Sequence, residues 1–225
     1  MLRNLRILKT PKAILRPLKV FIKKKIQVYR SGFHEDWTST HIPAFKSTLQ
    51  TFLVNPREKQ ITLLEIGCFE GRTTLWFLNN LLTHPASHIH CIDSFKGGYG
   101  YQNFKMHKIE KRFKKNIRLF KNKVSLHNGC SHIELVKLKN LRFDIIYLDA
   151  SHNAHDVLSD AFFAFSLLKK DGYLLFDDYL WDGIYETLPP LLTPKPGIDA
   201  FLHIFSSKVE VIWNEYQLHI KKISD

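Results

Sequence analysis

The sequence predicts an α/β protein built on a doubly wound, mostly parallel, seven-stranded sheet that ends in a C-terminal antiparallel hairpin. Three observations carry this. Apolar strand-like runs alternate with amphipathic helix-like stretches five times from residue 61 onward, a rhythm that lays helices on both faces of a parallel sheet. An acid and two glycines, in Glu65-Ile66-Gly67-Cys68-Phe69-Glu70-Gly71, join the first run to a helix start. Residues 209–214 and 217–222 read as a closing pair of strands.

Residues 1–54 form a basic N-terminal extension with helical segments, and residues 55–225 the α/β domain. In residues 1–30, Leu5, Leu8, Ile14, Leu18 and Phe21 alternate with Lys and Arg, and Pro11 and Pro17 divide the stretch into short helical pieces. Residues 37–54 carry a helix-like pattern that stops at Asn55-Pro56. Residues 61–68 are the first strand and 73–82 the first domain helix. The second strand, 88–93, leads to a Gly/Tyr loop at 95–101 and a basic helix at 103–116. Residues 124–127 are a short strand, and 131–139 a helix that Ser131 caps. A buried strand at 143–148 ends in Asp149, and a long helix at 154–169 is closed by Asp171-Gly172. Residues 173–176 are the fifth strand, ending in Asp177-Asp178. A Pro-rich loop at 189–196 and a helix at 198–206 precede the closing strands.

Charge is segregated along the chain. The formal net charge is +12, yet residues 1–30 hold ten Lys/Arg and no acid, and residues 105–123 hold nine Lys/Arg against Glu110. The remainder has fourteen Lys/Arg and twenty acids, so the body of the domain is acidic. No apolar run approaches the ~20 residues that span a bilayer. The basic N-terminus lacks the continuous apolar stretch of a secretory signal. Cys68, Cys91 and Cys130 make an odd count without a CxxC pair, the usage expected of reduced thiols in a cytoplasmic setting.

Open parallel sheets bind ligands at the carboxyl ends of their strands. Those ends here deliver Glu65, Asp93, Asp149, Asp177 and Asp178, together with Asn128-Gly129-Cys130-Ser131. Unpaired carboxylates repel, so such a rim calls for cations or solvent. Asp93 ends the second strand about 20 residues past the glycine turn, where a carboxylate accepts ribose hydroxyls; a loop-capping role is the alternative. The three cysteines suit tight strand ends as small hydrophobes.

The acid and the two glycines four apart resemble motif I of the class I S-adenosylmethionine (SAM) methyltransferases; the third glycine of the dinucleotide fingerprint and a P-loop lysine are absent. A narrower resemblance lies downstream. Tyr147-Leu148-Asp149-Ala150-Ser151-His152, then Gly172-Tyr173-Leu174-Leu175-Phe176-Asp177-Asp178-Tyr179, then Ile198-Asp199-Ala200-Phe201-Leu202 are similar to the methyltransferase domain 24 class. Within it, the pattern resembles the metal-dependent sugar O-methyltransferases of macrolide and aminocoumarin biosynthesis. The resemblance spans roughly residues 55–222 and implies a Rossmann-like fold with SAM as cofactor. Carried over by position, it implies cofactor contacts at Glu65, Gly67, Cys68, Gly71, Asp93, Ser94, Gly129, Ser131 and Asp149. It further implies Mg²⁺ on Asp149, Asp177 and Asp178, and catalysis by Asp149 and His152, with His152 as general base.

The chemistry is consistent with those residue types. A sugar hydroxyl is a poor nucleophile; a metal ion lowers its pKa and an imidazole takes its proton. The expected activity is SAM-dependent methyl transfer to a hydroxyl of a sugar, glycan or related small molecule. Tyr179, Trp181 and the loop at 95–101 are acceptor-side candidates. Two other readings stay open: an RNA methyltransferase using the basic patches, and a SAM-fold binding module without turnover. The Asn/Asp-Pro-Pro-Tyr/Phe signature of adenine-methylating enzymes is absent, and few aromatics interleave the basic residues, which weighs against nucleic acid. Residues 1–30 fit a peripheral contact with an anionic membrane, a solvated arm or a dimer contact.

Overall fold

Side-chain alternation explains why the strands form where they do. In β1 (Thr62–Ile66), Leu63 buries on one face and Leu64 and Ile66 on the other, which requires helices on both sides. The computed structural model describes residues 32–97, 105–183 and 188–225. Its elements are α1 (Ile42–Thr48), α2 (Gln50–Leu53), β1, α3 (Arg72–Asn80), β2 (His88–Asp93), α4 (Met106–Asn116), β3 (Val124–Asn128), α5 (Ser131–Lys137), β4 (Phe143–Leu148), α6 (Ala154–Leu167), β5 (Leu168–Phe176), α7 (Lys195–Ile204), β6 (Val209–Asn214) and β7 (Leu218–Lys222). Short 3₁₀ turns span Arg118–Lys123 and Pro190–Leu192.

The seven strands run in the order β3-β2-β1-β4-β5-β7-β6. The first five are parallel, while β7 lies antiparallel to β5 and β6 antiparallel to β7. This is the mostly parallel sheet with a closing hairpin that the sequence predicts. Strand order reverses between β1 and β4, so a crevice opens at their carboxyl ends. One face carries Phe45, Leu49, Phe77, Ile109 and Phe113 over Leu63, Ile89 and Ile145. The other carries Val157, Ala161, Phe165 and Phe201 over Leu64, Ile146 and Phe176.

Several boundaries differ from expectation for local reasons. The pattern at 37–54 is two helices that break at Leu49, whose backbone (φ −99°, ψ 19°) leaves the helical range. The first begins only at Ile42, with Pro43 in its first turn, where its missing N–H costs nothing. Residues 37–41 precede it as turns, with Asp36 accepting from the Ser39 backbone N–H and hydroxyl. Ser131 does not cap α5. Cys130 is the N-cap, and Ser131 as first helical residue bonds Asp160. Helix α6 ends at Leu167 because Leu168 turns extended into β5.

Residues 33–225 form one compact unit. Phe45, Leu49 and Phe52 are buried against the sheet, so residues 33–54 fold with the α/β domain. The readings made for residues 1–30, and for the part of the Gly/Tyr loop from 98 to 101, fall outside the described residues.

Candidate active site

A cavity of about 460 Å³ opens over the carboxyl ends of β1, β2, β3 and β4. Glu65, Gly67, Cys68, Asp93, Ser94, Gly129, Ser131, Asp149 and His152 line it. Gly71 stands behind, as the left-handed N-cap residue of α3. Asp178 meets Asp149 and His152 at one end. Asp177 lies deeper.

The glycine turn is held from both sides. Gly67 has φ +86°, and a Cβ there would fall 1.7 Å from the Asp149 carbonyl oxygen. The loops after β1 and β4 therefore approach closely enough that only glycine fits. Asp93 accepts the backbone N–H groups of Cys68 (3.0 Å) and Phe69 (2.8 Å) through Oδ2, and that of Phe95 (2.7 Å) through Oδ1. The loop-capping role weighed for Asp93 is thus real, and its side chain still borders the cavity.

Glu65 is fully buried beneath the turn. Thr74 donates its hydroxyl to Oε2, but Oε1 has no partner among the described residues. Burial pushes its carboxyl up to about 8, against the lowering pull of Thr74 and Cys91 and with a further push from Asp93. The Cys68 thiol is raised well above its ordinary value, first by burial, and Cys91 is raised for the same reason, so neither is a reactive thiolate. No disulfide links the three cysteines.

At the other end, Asp149, His152 and Asp178 each offer a ligand atom, all within 4.8 Å of one another. His152 Nε2 lies 3.0 Å from Asp178 Oδ2, and its ring packs 4.3 Å from that of Trp181. Tyr216 donates to Asp178 Oδ1 at 2.7 Å. Asp178 has φ +55°, an uncommon value for a non-glycine residue that signals local strain. Asp149 is pushed well above the carboxylate range by burial, then by the negative charges of Asp177 and Asp178.

The third carboxylate of the expected metal triad, Asp177, is not brought into this cluster. Its Oδ2 meets the Tyr147 hydroxyl and His41 Nδ1 (3.2 Å), and its Oδ1 accepts from Gln217 Nε2 (2.8 Å) and the Asp178 N–H (2.9 Å). Burial would raise Asp177, but the bond and charge of His41, with Tyr147 and Gln217, hold it below its ordinary value. All its acceptor positions serve the protein. The Tyr147 hydroxyl also lies 3.2 Å from Asp149 Oδ2, tying the two acids together.

Sequence reading missed a wall of this cavity. Phe33, Glu35, Trp37, Thr38 and His41 line it. The residues between them anchor the segment: the His34 backbone N–H and Nδ1 bond Glu70 at 2.8 and 2.5 Å, and Asp36 pairs with Arg72. Thr38 bonds Thr73 at 2.8 Å, and the Trp37 ring packs 5.3 Å from that of Phe69. The alternation Phe33-x-Glu35-x-Trp37 was a readable signal. Nothing local marked His41, which meets its partner across most of the chain.

Residues 64–179 match the family profile described as Methyltransferase domain. No curated protein matches the sequence. Among solved structures, an O-methyltransferase from Bacillus cereus in complex with SAH is similar with TM-score 0.58 and 16% identity, over 96% of this chain and 93% of that one. The MycE methyltransferase of the mycinamycin biosynthetic pathway, in complex with Mg, SAH and mycinamycin VI, is similar with TM-score 0.59 and 11% identity, over 96% of this chain and 64% of that one. A putative rRNA-methylase from Clostridium thermocellum gives TM-score 0.59 and 14% identity, over 82% and 96%.

Proposed function

The chain belongs to the Methyltransferase domain family, and from that membership we propose that it is a SAM-dependent O-methyltransferase acting on a hydroxyl of a sugar, glycan or related small molecule. The observation that carries the reading is the meeting of Asp149, His152 and Asp178 at one end of a cavity whose other end is the Gly67 turn. Separate donor and reacting ends in one cavity fit a transfer between two bound molecules.

The residues present fit the cofactor. SAM carries a cationic ammonium group and a ribose, and the cavity offers the orphaned Oε1 of Glu65 and the rim carboxylate of Asp93. Gly67, Cys68, Gly71, Ser94, Gly129 and Ser131 complete the proposed donor contacts, with Asp149 at the seam. They also fit a divalent cation: Asp149 and Asp178 present oxygens at the distance such an ion needs, and MycE is described with Mg. Bound there, Mg²⁺ would supply Lewis acidity to an acceptor hydroxyl. Asp177 we assign to holding Tyr147 and the Asp178 backbone in place.

His152 is the proposed base. Asp178 orients its Nε2, and Trp181 fixes the plane of the ring. When bound, SAM would supply the methyl group for displacement by the acceptor oxygen, leaving SAH, and the cavity walls would hold the two molecules in line. The unpaired cysteines are in keeping with a reducing cytoplasmic setting, and residues 1–30 with peripheral contact to an anionic membrane.

A second reading rests on one observation. The exposed side of α4 and its following turn carries Lys108, Lys111, Lys114, Lys115, Arg118 and Lys121, a surface that could hold RNA phosphates. No RNA binding at low salt removes it. A third, binding without turnover, is removed by any measurable transfer. Calorimetry with SAM and SAH tests the main reading at its root, since absence of binding sinks it. Activity is expected to vanish in EDTA and return with Mg²⁺, and Asp178→Ala to abolish it; full activity in EDTA would refute the metal-assisted step.

A further inference from the structure

We propose that segment 33–38 is the acceptor-recognising wall of the cavity, with Trp37 and Glu35 selecting a hydroxylated, saccharide-like ring. The proposal rests on the O-methyl transfer reading above and deepens it by naming what chooses the acceptor.

The segment divides its side chains between two jobs. Here His34 and Asp36 reach back to Glu70 and Arg72 at the glycine turn and the start of α3, while Phe33, Glu35 and Trp37 border the cavity. The anchors are strong. Glu70 is 2% exposed and also takes Arg112 Nε at 2.9 Å, so the segment is tied to a buried, charge-assisted network. Beyond Thr38 the chain reaches His41, which bonds Asp177 and stacks on Tyr216. The wall thus runs from the donor turn to the acidic end, along the line where the two reactants meet.

Three further points assign the wall to the acceptor and not the donor. The donor's polar groups already have partners of matching chemistry in Glu65 and Asp93. Trp37 stays 48% exposed, as a rim residue that an entering molecule covers. The segment also lies outside residues 64–179, the part that is matched to the family and holds the proposed donor residues. An indole face stacks on the C–H face of a pyranose, and a carboxylate two residues away accepts its hydroxyls.

The test is transfer of a tritiated methyl group from SAM to methyl hexopyranosides, catechol and an RNA oligonucleotide, with SAH calorimetry alongside. Wild type is expected to methylate a saccharide. Trp37→Ala and Glu35→Ala should raise its KM about tenfold, with kcat within about threefold and SAH affinity within about twofold. Trp37→Phe and Glu35→Gln should recover much of that loss, because both keep the stacking face or the hydroxyl acceptor. Weakened SAH binding with an unchanged acceptor KM would assign the wall to the donor and overturn the inference. Equal loss in Glu35→Gln and Glu35→Ala would indicate a cationic ligand and overturn the hydroxyl assignment. Transfer to catechol or RNA alone, or to no saccharide, overturns the ring class. Failure of wild type to bind SAH defeats the underlying reading instead.

Discussion

Glu65 illustrates how much a single side chain can commit. An ordinary carboxyl of 4.5 is raised to about 8 in the fold, so the folded protein keeps a proton that the unfolded chain releases. Stability should therefore fall as pH rises from about 4.5 to 8, with a slope of at most about 1.4 kcal/mol per pH unit. Urea midpoints across that range are expected to be flatter in Glu65→Gln; an unchanged slope would show that another group is responsible. SAM's ammonium beside Oε1 should lower the raised value, so binding near pH 7 is expected to release a proton. Calorimetry in buffers of different ionisation enthalpy reads that release directly. His219 acts in the opposite sense. Burial beside Thr48, whose hydroxyl it meets at 2.7 Å, holds it down to about 3 despite the raising pull of Asp177. The unfolded chain takes a proton near 6.5 that the fold refuses, so stability should also fall as pH drops from about 6.5 towards 3. In His219→Gln that acid limb is expected to shrink; a limb of full size would acquit the residue.

Strands were the most legible elements. The bounds of β2, β4 and β6 coincide with expectation because apolar runs between polar ends leave little choice of register. Helix starts were less so: Ser131 looked like a cap but is drawn to Asp160, distant in sequence, and the pattern from 37 becomes helical only at Ile42 and breaks at Leu49. The donor turn was readable as a motif, whereas the inward turn of Asp177 was not, because Tyr147, His41 and Gln217 come from three other parts of the chain. Contact between elements sets a prediction of its own. A Cβ on Gly197, in the first turn of α7, would fall 2.1 Å from the carbonyl oxygen of Ala154, the first residue of α6. Gly197→Ala should push the helices apart at a cost of about 1–3 kcal/mol, seen as a lowered Tm. Ala154 follows His152 by two residues, so kcat should drop as well; an unchanged Tm would mean the helices yield without strain.

Across the whole molecule, the pI near 9.6 describes the surface poorly. Net positive charge is confined to residues 1–30 and the α4 region, while the strand ends of the candidate cavity are acidic. No described helix is long and apolar enough to cross a membrane.

The anchoring of residues 33–38 has one more consequence, for changes in chain length. His34, Asp36 and Thr38 each hold a partner at the glycine turn or the start of α3, in Glu70, Arg72 and Thr73. An insertion between any two of them must bulge or give up an anchor, whereas an addition before residue 32 leaves all three ties in place. Length should therefore be fixed within this stretch and free ahead of it.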